Sequence, residues 1–337
     1  MSASPRQRPR STATESRDSH QIVSVSAALA TDGPSAASAG HSAGLKGRLA
    51  LLAGHLLVAV IALVAIGGAT RVMQAGLACP DWPLCYGTLL PGRQMNLQVF
   101  LEWFHRLDAF VVGIGLLVLA GASVHWRRQL PRWQPPLALA CLLLVIVQGG
   151  LGALTVLQLL PAAVVTAHLI TALLLVALLS SCHQGLNGEA SAPIPFAAHA
   201  KPAALLTPLA LLLVIAQCLL GGLMASQWAA GRCFAVGEAC GWLLAHRLVA
   251  RPAALLVLVV AAWLGWCWPR QRPLALLAAL LVLAQIALGI FTLRLSLTVP
   301  ALTVAHQITA ALLVAVLSAL AVRLGRTAFT PLEQSHG

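Results

Sequence analysis

Ala167-His168-Leu169-Ile170-Thr171-Ala172 and Ala305-His306-Gln307-Ile308-Thr309-Ala310 repeat one pattern 138 residues apart, and each opens a long apolar run. Two more histidines open apolar runs 141 residues apart, in Glu102-Trp103-Phe104-His105-Arg106-Leu107 and Ala245-His246-Arg247-Leu248-Val249-Ala250. A polar, ionisable side chain inside a membrane segment is costly and is retained for function. Four in repeated positions read as a duplicated unit of four helices, each copy supplying two histidines.

The surrounding chain has 337 residues, of which 59% are hydrophobic and 9% charged, with a mean hydropathy of +0.87. Soluble domains carry about 25% charged residues, so the composition is that of a polytopic membrane protein. The net charge of +12 does not point to nucleic acid. Most basic residues fall in the first 48 positions or in short gaps between apolar runs, where topology accounts for them and leaves no basic face.

Eight runs are long enough to cross a hydrocarbon core as helices, at roughly 50–69, 103–124, 136–156, 161–182, 203–224, 243–266, 273–292 and 299–322. The fold expected is all-α, with eight transmembrane helices forming two tandem four-helix bundles. Each half has an even number of spans, so both halves enter from one side, related by a pseudo-two-fold axis along the membrane normal. The expected divisions are a disordered cytoplasmic tail (1–49), an N-terminal bundle (50–182), a cytoplasmic linker (183–202), a C-terminal bundle (203–322) and a cytoplasmic tail (323–337).

Lys46, Arg48, Arg127, Arg128, Arg132, Lys201, Arg270, Arg272, Arg323 and Arg326 lie on one set of helix ends, while the opposite loops carry only Arg71, Arg93, Arg232 and Arg294. The positive-inside rule then puts both termini in the cytoplasm and all four histidines near the outer side. Cys79 with Cys85 and Cys233 with Cys240 fall in outer loops, where disulfides persist. Acidic residues in the amino-terminal tail argue against an organellar transit peptide.

A second repeat runs through the odd-numbered spans. Gln148-x-x-x-Gly152, Gln217-x-x-x-Gly221 and Gln285-x-x-x-Gly289 recur near their outer ends, while span one has Gly67 with a leucine at the glutamine position. Small residues at helical spacing let a helix, or a flat ligand, approach closely. Helix packing and the lining of a cofactor pocket both fit.

Two inward-facing imidazoles at one depth, on neighbouring helices of a bundle, form an axial ligand pair for haem iron. The expected pairs are His105 with His168 and His246 with His306. A zinc site would need further ligands, and no carboxylate or cysteine repeats with the histidines in both halves. Arg106 and Arg247 each follow a histidine, placed either to pair with a haem propionate or to snorkel to the interface.

The halves differ in two ways. Glu102 stands one turn before His105, whereas Leu243 holds the equivalent place before His246. The first outer loop is also the longer and contains Cys79-Pro80-Asp81-Trp82-Pro83-Leu84-Cys85, suited to cover one site. One pair thus reads as a working site and the other as a resident cofactor site. Asp108 and Arg251, inside the equivalent spans two and six, are expected to pair across the interface between halves.

Gly67-Gly68-Ala69-Thr70-Arg71, Gly76-Leu77-Ala78-Cys79-Pro80-Asp81-Trp82-Pro83 and Glu102-x-x-His105-Arg106, with the other three histidine segments, resemble the haem A synthase family over nearly all of residues 50–322. The cysteine pairs resemble its bacterial cysteine-containing class, which implies the bacterial inner membrane as the location, while Val72-Met73-Gln74-Ala75 departs from the family's stretch after the arginine. The resemblance implies oxidation of a haem O methyl group to the formyl group of haem A for terminal oxidase assembly. It implies His105 and His168 around substrate haem O, His246 and His306 on haem b, and Glu102 as a catalytic carboxylate. The implied partners are a haem O synthase as donor, an electron acceptor that the sequence does not identify and the terminal oxidase assembly machinery; a homo-oligomer stays open. The rival reading is a bis-histidine dihaem b-type cytochrome that only transfers electrons.

Overall fold

The computed structural model describes residues 36–187, 197–225, 240–295 and 298–329. These contain eight long helices: α1 (Ala36–Val72), α2 (Leu97–His125), α3 (Gln134–Leu157), α4 (Ala162–Asn187), α5 (Ala197–Ala225), α6 (Gly241–Cys267), α7 (Arg272–Arg294) and α8 (Pro300–Phe329). All eight are long and apolar enough to cross a membrane. An apolar segment in lipid must satisfy its backbone internally, and a continuous helix does so. Helix α1 takes in residues 36–49 of the stretch read as tail, and α4 and α5 extend into the stretch read as linker, because helical backbone continues past the hydrocarbon-length runs that set the sequence boundaries.

Local signals fix the helix ends. The Asn96 side chain accepts from the Val99 N–H at 3.0 Å and caps α2. Prolines occupy the first turns of α3 and α7, where the missing N–H costs nothing. Between α3 and α4 the chain reverses through Leu159 and Leu160, at φ +59° and +62°. Left-handed backbone costs a branched side chain about 1–2 kcal/mol. The turn is held by the Leu160 N–H to the Thr155 carbonyl at 2.8 Å and by the Leu160 side chain packing on Gly76.

Packing follows the repeat. Helix α1 packs on α2 and α4, and α3 on α2 and α4, closing a ring; α5 packs on α6 and α8, and α7 on α6 and α8, closing a second. The rings meet through α1, α4, α5 and α8, with α1 against α8, α4 against α5, and α4 against α8. Exchanging the first four helices for the last four leaves this pattern unchanged. Helix α8 is the most buried and α3 and α7 are the least.

The seam is tight and partly polar. Ser180 Oγ donates to the Ala315 carbonyl at 2.6 Å, Gln307 Nε2 to Val64 at 3.2 Å, and Arg323 Nε to Gln184 Oε1 at 3.0 Å. Arg326 also reaches the Gly185 carbonyl. Thr166 and Gln307 pack against Gly222 and Gly68, each from the opposite ring. A Cβ at either glycine would come within 3 Å of the neighbouring side chain, which would then have to shift.

The expected Asp108–Arg251 pair does not form. Among the described residues the one ion pair is Arg106–Glu102, and Arg251 is exposed. Helices α2 and α6 occupy equivalent outer positions of the two rings, so the duplication that makes them equivalent also holds them apart.

Candidate haem sites

His105 and His168 lie with ring centroids 6.4 Å apart and planes inclined at 73°. They come from α2 and α4, which are diagonal in their ring and not neighbours as the sequence suggested. His246 and His306, on α6 and α8, are diagonal in the second ring. A diagonal pair faces across the bundle axis, whereas neighbouring helices would present imidazoles side by side. Each pair therefore spans from an outer helix to one at the seam.

The odd-numbered helices seat the four rings. A Cβ added at Gly67 would stand 3.1 Å from His105 Cε1; at Gly152, 3.6 Å from His168 Cε1; at Gly221, 2.9 Å from His246 Cε1; at Gly289, 3.3 Å from His306 Cε1. One turn before three of these glycines a glutamine donates across to the main-chain carbonyl of the same histidine. Gln148 Nε2 reaches His168 at 2.9 Å, Gln217 Nε2 reaches His246 at 2.8 Å and Gln285 Nε2 reaches His306 at 2.9 Å. The repeat in the odd helices is thus a cradle for the histidines, with the glycine under the ring and the glutamine on its backbone.

The side chains fit haem. At about 2 Å per imidazole–metal bond, two rings on one metal have centres roughly 6 Å apart, close to the His105–His168 spacing. Nδ1 of His105, His168 and His306 is buried with no hydrogen-bond partner, while His246 Nδ1 lies 3.2 Å from the Gln217 carbonyl. Unpartnered buried nitrogens are costly unless something binds the ring. Among the described residues no group of three or more His, Cys, Asp or Glu side chains gathers as a metal site, and His105 and His168 are the imidazoles whose spacing would suit one iron.

Glu102 is 4% exposed, and each of its carboxylate oxygens accepts one hydrogen bond. One carboxylate oxygen accepts from the Cys79 N–H at 2.8 Å and the other from Arg106 Nη2 at 2.6 Å. Arg106 Nη1 donates to the carbonyls of Asp81 at 2.7 Å and Leu84 at 2.5 Å. The arginine thus ties the first loop to Glu102. Its loop partners lie 22 and 25 residues away, a contact no helical spacing could predict.

The loop is itself closed. Cys79 and Cys85 form the expected disulfide, with Cα atoms 4.8 Å apart. The Asp81 carboxylate accepts from the N–H groups of Tyr86 at 2.7 Å and Gly87 at 2.8 Å, and Gly87 takes φ +71°, open to glycine at no steric cost. Trp103 Nε1 donates to the Leu89 carbonyl at 2.6 Å, and Cys79, Cys85 and Val99 form a small buried cluster on α2. In the second half Leu243 replaces the carboxylate and packs on Met224 and Cys240. The expected Cys233–Cys240 disulfide involves residues 226–239, outside the described residues.

A model of the cytochrome oxidase assembly protein family (COX15-CtaA) matches residues 50–243. The chain is 33% identical over 201 residues to a haem A synthase of Shewanella oneidensis, covering 53% of this chain and 58% of that protein. It is 31% identical over 324 residues to a haem A synthase of Rhizorhabdus wittichii, covering 78% of this chain and 90% of that protein. A shorter match, 41% identical over 98 residues, is to protohaem IX farnesyltransferase 1 of Natronomonas pharaonis, covering 29% of this chain and 20% of that protein.

Proposed function

The chain belongs to the cytochrome oxidase assembly protein family, and from that premise we propose that it is a haem A synthase, an oxidoreductase converting a methyl group of haem O to a formyl group. The observation that carries the reading is the asymmetry between the pairs: a buried carboxylate, latched under a disulfide-closed loop, stands one turn before His105, while a leucine stands one turn before His246. A dihaem cytochrome has no use for that difference. Electron relay across a bilayer also favours haems stacked through it, and four histidines at one depth do not give that.

His105 and His168 bracket the substrate haem, and Gly67 and Gly152 let their rings seat against α1 and α3. Two successive hydroxylations of the methyl give a geminal diol, and loss of water leaves the aldehyde; overall one water supplies the formyl oxygen, and four electrons and four protons leave, the electrons to an external electron acceptor. Glu102 is the group placed to handle protons there, since each of its oxygens keeps a lone pair beyond the bond it accepts. The loop at 79–85 shields that carboxylate from bulk water. His246 and His306 hold a resident haem b, which supplies one-electron redox chemistry when bound. Arg247 is positioned beside His246 for a propionate.

The two closed rings of helices support a reading as tandem bundles related by an axis along the membrane normal, and the distribution of lysine and arginine supports termini on the cytoplasmic side. A haem O synthase is the substrate donor, supported by the stretch of similarity to a protohaem farnesyltransferase. The test is expression in a membrane host that makes haem O and lacks haem A, followed by extraction and separation of the haems. Formyl haem from the wild type, lost in His105→Ala and Glu102→Ala, is the expected result; haem b alone at every expression level overturns the reading.

A further inference from the structure

Three of the four histidine turns are gripped twice by the preceding odd-numbered helix, through a glycine under the ring and a glutamine on the carbonyl. The fourth is gripped once. Gly67 lies under His105, but the residue one turn before it is Leu63, which has nothing to donate. What holds the His105 turn comes from outside the helix bundle. Glu102 and Arg106, three residues before His105 and one after it, bond to Cys79, Asp81 and Leu84 of the first loop. Among the described residues, three histidine turns therefore carry a glutamine bond inside the bundle, and the His105 turn, which lacks one, is tied to a loop.

We propose that His105 is the exchangeable axial ligand of this protein, and that Gln148, Gln217 and Gln285 are positioning residues that keep the other three imidazoles in place. The proposal rests on the reading that the amino-terminal pair takes the substrate haem. A substrate must enter and a product must leave that site, whereas the carboxy-terminal pair keeps its haem. A ligand whose backbone lacks the cross-helix bond can swing aside with its turn once the loop loosens. His168, with Gln148 on its carbonyl, stays as the fixed side of the same site. The leucine at position 63 is then a selected difference within the repeat, and a glutamine there would hold the site shut.

The experiment uses the purified, haem-loaded full chain in detergent, mixed with excess apomyoglobin as haem acceptor. Haems remaining on the chain are extracted at intervals and separated, so that haem O and haem A are counted apart from haem b. In the wild type the O and A forms leave faster than haem b. Leu63→Gln slows their loss about two- to tenfold, the range one neutral hydrogen bond supplies, and leaves haem b unchanged. Gln217→Leu and Gln285→Leu speed haem b loss by a similar factor. They also shift the low-spin electron paramagnetic resonance signal of that haem alone, with unchanged thermal unfolding, which a purely structural role would not do. Unchanged or faster release from Leu63→Gln, with a native low-spin spectrum, overturns the proposal. If that variant does not fold, the glutamine variants decide, and no acceleration in either overturns it.

Failure of the functional reading would look different. Only haem b would then be found, its release would have two phases, and the phase missing in His105→Ala would mark the amino-terminal site. Slowing of that phase by Leu63→Gln supports the ligand assignment even so; no slowing overturns it.

Discussion

The two halves share a helix order, a closed ring of four helices, a diagonal histidine pair and a glycine under every imidazole. They part at one helical turn. Before His105 stands Glu102, bonded to Arg106 and the Cys79 N–H beneath a disulfide loop; before His246 stands Leu243, packed on Met224 and Cys240. The two halves present equivalent cradles that differ at a few positions beside the histidines. A cradle needs only shape and two nitrogens, which both halves keep. Among the described residues, the buried carboxylate with its partners stands in the amino-terminal half.

The strongest way to break the comparison is to remove one histidine from each half. His306→Ala should abolish bound haem b, and His105→Ala should keep haem b while losing the formyl product. Extracted haem content checks both, and equal loss of haem b in the two variants would erase the distinction. Next in size is the carboxylate. Glu102→Ala should lower the rate of formyl haem production about 10²- to 10⁴-fold, while Leu243→Ala leaves that rate within a factor of a few. Glu102→Gln and Arg106→Leu should each destabilise the protein by about 1–3 kcal/mol, and the double variant by less than their sum in denaturation midpoints. Additive losses would mean that the latch is not one unit.

Smaller effects grade the cradles themselves. Alanine at Gly221 should disturb its histidine most, at Gly67 and Gly289 less, and at Gly152 least, following Cβ approaches of 2.9, 3.1, 3.3 and 3.6 Å. Where the ring must shift, the cost of about 1–3 kcal/mol typical of overpacking should appear as weakened low-spin absorption. A flat response across the series would mean the glycines only pack helices. The smallest effect belongs to Asp108→Asn and Arg251→Gln, singly and together. Within about 0.5 kcal/mol these should add, as for sites with no shared partner, and a coupling above that would restore the pair the structure separates.

The sequence itself determined the eight helices, the four repeated histidines, the unmatched Glu102 and the Cys79–Cys85 bridge. A hydrocarbon core demands long apolar runs whose backbones satisfy themselves, so each helix is written locally, and a tandem repeat exposes its exceptions by simple alignment. Only the tertiary structure decided that the pairs are diagonal, that Gln148, Gln217 and Gln285 grip the histidine backbones, that Arg106 belongs to the loop and that Asp108 and Arg251 stay apart. These depend on which helix faces which and on bonds between segments tens of residues apart. Lipid and protein interior are equally apolar, so hydropathy along one helix does not mark the face that meets a neighbour, and packing geometry has to choose it.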